Sequence, residues 1–186
     1  MCEVNIVHYY HSKCIPLNSI TELPENEAFE MAKKIGENDG ESFYRFKDFV
    51  NYYPRRIKTE KYLYDWFIKS GGKPKTKNPL YFVVEGSDFF FNWYDKGKTF
   101  IIPLSKIDTK HISFTIGDSC SEYNKNNLKE PFLKEELYEI INGFNGNINL
   151  MLENLTKKYE IKYIECQLWN NKYVDVKKNN KGESTL

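Results

Sequence analysis

The densest group of residues able to hold a ligand is a basic run. Arg55, Arg56, Lys58, Lys61, Lys69, Lys73, Lys75 and Lys77 face only Glu60 and Asp65, a local excess of +6. Tyr62, Tyr64, Trp66 and Phe67 interleave with these cations. Cations neutralise phosphates and rings stack on bases, so this composition suits a phosphate-binding face. Arg55, Arg56, Lys73, Lys75 and Lys77 are therefore anion-binding candidates, with an anionic ligand or a nucleic acid as the expected partner. The loop Gly71-Gly72-Lys73-Pro74-Lys75-Thr76-Lys77 lacks the spacing of a nucleotide-phosphate cradle. The same run also reads as helix-spaced core rings beneath a solvated lysine face. Just upstream, Tyr44, Arg45, Phe46, Tyr52, Tyr53, Arg55 and Glu60 form a polar-aromatic set, within which Arg45, Tyr53 and Glu60 are pocket candidates. The guanidinium fork is suited to phosphate or carboxylate. The competing reading pairs Arg55 or Arg56 with Glu60 at helix spacing.

Three histidines, His8, His11 and His111, limit the acid-base inventory. His8 and His11 are three apart, and on a strand an odd separation points them to opposite faces. No metal site is expected. Cys2, Cys14, Cys120 and Cys166 are scattered singly, which suits reduced thiols rather than zinc ligands or disulfides. Ile112-Ser113-Phe114-Thr115-Ile116-Gly117-Asp118-Ser119 resembles the nucleophile block of the GDSL-type esterases. That resemblance implies Ser119 attacking an ester with a later histidine as base, yet no histidine follows Ser119. A histidine in the first strand, a tyrosine in a middle strand and a glutamate in the last resembles one branch of the ADP-ribosyltransferases. His8, Tyr81 and Glu165 match those roles. The resemblance implies that His8 positions an NAD ribose, Tyr81 stacks on nicotinamide and Glu165 stabilises an oxocarbenium-like centre. NAD is the expected cofactor under that reading alone, and the other readings require none. The plain alternative leaves Glu165 facing solvent on an alternating strand.

The elements that position these residues follow from periodicity. Val4 to Tyr10, Pro79 to Glu85, Lys98 to Pro103, His111 to Ile116 and Ile161 to Trp169 read as strands. Glu25 to Gly36 reads as an amphipathic helix entered through Pro24. Ser42 to Tyr53 and Ile57 to Lys69 read as two helices split by Pro54, which lacks a backbone donor. Ser87 to Tyr94 reads as a helical turn, and Phe132 to Ile141 with Ile148 to Tyr159 as a helix pair. The clustering of helices and strands predicts an α+β fold, a mixed or antiparallel sheet of about five strands against about five helices. The expected organisation is one domain over residues 1–176 and a polar tail over 177–186.

Composition frames these expectations. The chain has 186 residues, is 40% hydrophobic and 16% aromatic, and balances 27 basic against 26 acidic side chains. That is too apolar for a disordered chain, and long enough to bury a substantial core without disulfides or metal. A net charge of +1 gives no global field toward nucleic acid or membrane, so any electrostatic recognition is local. Apolar runs fall well short of the roughly 20 residues that span a bilayer. The amino terminus shows no basic-then-apolar leader pattern, so the cytoplasm is the expected location, with no membrane partner. Including Tyr81-Phe82-Val83-Val84-Glu85-Gly86-Ser87 and Tyr163-Ile164-Glu165-Cys166-Gln167-Leu168-Trp169, the chain resembles an uncharacterised family of small bacterial proteins, a resemblance that implies no activity. The leading expectation is a noncatalytic binding domain that engages an anionic partner through residues 55–77. A nucleotide-using enzyme is the alternative, and a protein partner a third reading.

Overall fold

The computed structural model describes residues 3–11, 14–38, 43–94, 97–121 and 130–174. Ser42, the expected start of one helix, and the tail from 177 lie outside the described residues. The fold is α+β and built on one sheet. In chain order the elements are β1 (Asn5–Tyr10), α1 (Glu25–Asn38), α2 (Tyr44–Lys47), α3 (Phe49–Lys69), β2 (Leu80–Val84), α4 (Asp88–Trp93), β3 (Lys98–Pro103), β4 (Ile112–Ile116), β5 (Phe132–Leu133), α5 (Lys134–Gly143), α6 (Ile148–Tyr159) and β6 (Ile164–Leu168). The strands lie in the order β3-β1-β2-β6-β4-β5, with neighbouring strands antiparallel. Among the described residues, no helix is long and apolar enough to cross a membrane.

Strand parity sorts the sheet into two unlike faces. Ile6, Phe82, Val84, Ile112, Phe114, Ile116, Ile164, Cys166 and Leu168 form an apolar face, which packs against Leu137 and Ile141 of α5 and Met151 of α6. The opposite face of the central strands carries Tyr81, Ser113, Thr115, Glu165 and Gln167. Such a face is tolerable under a helix only if most of its polar atoms are paired, and a chain of hydrogen bonds links these side chains. Trp169 Nε1 donates to Ser113 Oγ at 2.9 Å, Ser113 Oγ donates to Gln167 Oε1 at 2.9 Å, and Gln167 Nε2 donates to Thr115 Oγ1 and Glu165 Oε1, each at 3.0 Å.

α3 covers this polar face and departs from the expected break at Pro54. It runs without interruption from Phe49 to Lys69. Tyr53, Arg56, Glu60, Leu63 and Phe67 recur at alternating spacings of three and four, so one buried stripe crosses the proline. Pro54 and Val50, whose carbonyl loses its partner, are exposed, so the missing hydrogen bond falls on the solvent side. Farther along the stripe, Phe67 stacks on the fully buried Trp169 with centroids 5.7 Å apart. A second difference lies at residues 132 and 133, expected as the start of a helix. They form β5 instead, and the Phe132 ring stacks 5.6 Å from Phe114 across the strand pair. Pro131 just before them favours an extended entry, and α5 begins at Lys134.

Candidate functional site

A cavity of about 510 Å³ opens at the end of the sheet where β4 finishes and β6 begins. Its walls come from α2, the first turns of α3, α4, the Gly117-Asp118 turn and the chain from Tyr159 to Tyr163. Gly117 makes the turn possible, with a φ of +77° that ordinary side chains avoid. Asp118 then lies in the cavity lining and Ser119 reaches back to the sheet. The rim is aromatic. Trp93 lies 5.5 Å from Tyr44 and 5.2 Å from Phe89, and Phe90 lies 4.5 Å from Tyr163 and 6.0 Å from Tyr94. Tyr44 is 50% exposed and Phe89 36%, so apolar rings stand at the mouth instead of retreating into the core.

The floor is polar. Glu165 is only 6% exposed, and its Oε1 accepts from Ser119 Oγ, from Ser119 N at 3.3 Å and from Gln167 Nε2. Among the described residues its Oε2 has no hydrogen-bond partner, and it keeps contact with open space. Burial pushes the carboxyl up to about 7, and the neighbouring Asp118 charge adds to the rise; Arg56, Ser119 and Gln167 oppose it. Beside it, Arg56 is 9% exposed and lies 3.6 Å above the Tyr81 ring. Its Nε donates to Glu60 Oε1 at 2.9 Å, its one hydrogen bond among the described residues. Burial disfavours the Arg56 charge, but the surrounding phenols and carboxylates hold the guanidinium protonated beyond its ordinary range. Arg56 and Glu165 both line the cavity without closing into an ion pair.

Glu60 supports this arrangement from behind the wall. It is 2% exposed, and besides Arg56 it accepts from Tyr81 Oη at 3.2 Å and from Thr21 Oγ1 at 2.7 Å. Across the cavity Arg45 donates to Asp118, its Nε donates to Tyr44 Oη at 3.0 Å, and Asp118 Oδ1 accepts from Cys120 N at 2.8 Å. Burial also pushes the Tyr94 phenol up to about 12, and raises those of Tyr52 and Tyr163, so these rings meet a ligand as neutral donors and stacking surfaces.

The sequence candidates divide among several places. Arg45, Arg56, Tyr81 and Glu165 come together in the cavity. Glu60 stands behind Arg56, and Tyr53 packs instead with Phe29 and Phe49. Arg55 has its guanidinium 6.0 Å from the Tyr52 ring and is outside the lining. His8 shares a smaller hollow of about 120 Å³ with Tyr81 and Glu165, but strand parity sends its ring to the apolar face, 5.4 Å from Phe82. Its Nδ1 donates to Tyr81 O at 2.8 Å and its Nε2 accepts from Leu17 N at 3.3 Å, a neutral imidazole with both nitrogens held by backbone. Burial lowers its pKa accordingly. Ser119, the esterase-like serine, meets a glutamate and no histidine, since His111 lies at the far end of β4.

Lys73, Lys75 and Lys77 are exposed at that far end. Lys73 N donates to Lys110 O at 2.8 Å and Lys75 N to Trp169 O at 2.7 Å, which fixes the loop beside Lys110 and Lys172. Five residues of β4 separate this lysine group from the cavity, roughly 17 Å. Sequence reasoning missed Asp118, Tyr163 and the α4 rings as site residues. The run Asp88-Phe89-Phe90-Phe91-Asn92-Trp93-Tyr94 was a usable signal, because so many adjacent rings cannot all enter one core. Compared with known proteins, the chain matches no family model, no curated protein and no solved structure.

Proposed function

We propose that the protein binds a planar small molecule of about nucleoside size in the aromatic cavity and exchanges a proton with it through Glu165. The observation that carries this reading is the Glu165 carboxyl: buried, with a pKa near 7, one oxygen anchored by three donors and the other left for a ligand. A group so poised is half ionised near neutrality, the condition in which one side chain serves as both acid and base. Apolar walls with a few convergent polar groups are the usual make-up of a small-molecule site, and about 510 Å³ falls within the usual range for one.

A thermal-shift series with heteroaromatic compounds tests this. A ligand at one hundred times its dissociation constant adds about 2.7 kcal/mol. For a chain of this size that raises Tm by about 5 to 10 °C. The shift is expected to change between about pH 6 and pH 8 in the native chain and to lose that pH dependence in Glu165→Gln. If no planar compound at millimolar concentration moves Tm, the reading fails.

A second reading keeps the anionic partner at the lysine group. It is favoured by the backbone bonds that hold Lys73 to Lys110 and Lys75 to Trp169, and by Lys75 and Lys172 both acting on His111, residues distant in sequence, while Arg56 is withdrawn into the cavity. Replacing Lys73, Lys75 and Lys77 by Gln is expected to weaken oligonucleotide binding at least tenfold at low salt and to flatten its salt dependence by about two to three counterions. An affinity indifferent to both salt and the triple substitution excludes this role.

A further inference from the structure

The cavity floor holds a donor and a proton-sharing acceptor side by side, with neither satisfied by the other. Arg56 has spent Nε on Glu60, and its terminal nitrogens, donors only, have no hydrogen-bond partner among the described residues. They are not sealed from the open space, and neither is Glu165 Oε2. A guanidinium buried to this degree and used at only one nitrogen calls for an acceptor.

Charge narrows the choice of acceptor. Among the described residues Arg45 and Arg56 are balanced by Asp118 and Glu60, and at the rim the exposed Lys162 is balanced by the exposed Glu160, with Glu165 adding a partial negative charge near neutrality. A carboxylate or phosphate set against Arg56 also meets Asp118 and Glu165, and a cation set against Glu165 also meets Arg56 and Arg45. Both choices place like charges close together in a poorly solvated floor. A neutral group with an acceptor beside a donor satisfies both side chains at no such cost. Above it, the Tyr52, Tyr163, Phe89 and Trp93 rings line the cavity and offer faces for stacking.

We infer that the ligand is a planar heterocycle whose edge carries a carbonyl next to an N–H, the carbonyl accepting from Arg56 and the N–H donating to Glu165. This rests on the reading of the cavity as a small-molecule site. Two sources share that edge: the lactam of an oxo-nucleobase and the carboxamide of a nicotinamide-type ring.

Ligand-side variants test the edge without altering the protein. Inosine, 1-methylinosine and adenosine form one arm; nicotinamide and its amide-N,N-dimethyl derivative form the other. Affinity is read from tryptophan fluorescence and thermal shift near pH 7. In at least one arm, methylation is expected to cut affinity tenfold or more, the size of a lost buried hydrogen bond. Adenosine also offers an acceptor beside a donor, N1 next to N6–H, so it tests the carbonyl itself: if the lactam arm responds, inosine is expected to bind at least tenfold more tightly than adenosine, and equal affinity overturns the carbonyl as the acceptor. The responding arm identifies the source. Equal affinity for methylated and unmethylated compounds overturns the edge inference while leaving the cavity as a small-molecule site. Absence of binding in both arms overturns the inference too; a shift with some other heteroaromatic compound then separates that result from failure of the cavity reading itself.

Discussion

Replacing Glu165 by Gln is expected to stabilise the protein at about pH 8 and to leave its stability little changed at about pH 4. The folded chain holds the Glu165 proton up to about pH 7, against an ordinary value of 4.5. Between those values the folded state binds more protons than the unfolded state, so stability falls as pH rises. The contribution is complete below about 4.5 and lost as pH climbs through about 7. At about 1.4 kcal/mol per unit, the native chain gives up roughly 3 kcal/mol over this window. Gln keeps the size of the side chain and a carbonyl for Ser119 to donate to, but carries no charge to desolvate. Urea unfolding of both proteins at several pH values measures the gap directly. It should open steadily toward alkaline pH, and parallel stability curves would show that Glu165 does not titrate in this range. Under the proposed function the same variant also loses proton exchange with the ligand, so gained stability with lost function is the combined signature expected of a group held in a costly state for a purpose.

Glu60→Ala is expected to produce the largest loss. The carboxylate gathers Arg56, Tyr81 and Thr21 at a point where it is 2% exposed. Deleting it strands the Arg56 guanidinium in a place with little water and removes the partner of two hydroxyls. Breaking a buried pair from one side costs about 3 to 5 kcal/mol. In a chain of this length that corresponds to a Tm lower by on the order of 10 °C. Glu60→Gln retains the shape and part of the hydrogen bonding, so its loss should be distinctly smaller. A Glu60→Ala protein within about 1 kcal/mol of native in thermal or chemical unfolding would mean that Arg56 finds another carboxylate, with Glu165 the nearest choice. That outcome would also move the Glu165 pKa downward and flatten the pH dependence described above.

Much of the scaffold was legible because its signals are local. Alternation in Val4 to Tyr10 and the β-branched and aromatic density of residues 80–84 mark β1 and β2 to within a residue or two. Lys98 to Pro103 matches β3 at both ends. Reading failed where a distant surface overrode a local rule. Pro54 is a sound local reason to end a helix, yet the stripe from Tyr53 to Phe67 gains enough by lying along the sheet to carry α3 through it. Residues 132 and 133 suit a helix start by pattern, but Phe132 has Phe114 to stack on and pairs as a strand.

The site shows the same division more sharply. Sequence grouped Arg45, Tyr53 and Glu60 as pocket candidates, while Glu165 entered only through the ADP-ribosyltransferase resemblance, as the group that stabilises an oxocarbenium-like centre. It did not connect Glu165 to that set, nor Asp118 or Ser119 to either. Arg45 and Asp118 are 73 residues apart, and Ser119 and Glu165 are 46 apart. The amino-acid order by itself determined the α+β class, most element positions, the surplus of aromatic rings and the balance of charge, since each depends on periodicity or composition within a short window. Only the tertiary structure decided that Glu165 is buried rather than solvated, that Arg56 leaves the basic run to face it, that His8 turns to the other face of the sheet, and that the lysines collect roughly a strand's length away. Those outcomes depend on desolvation and on which side chains meet across the sheet, and neither quantity exists until the chain has folded.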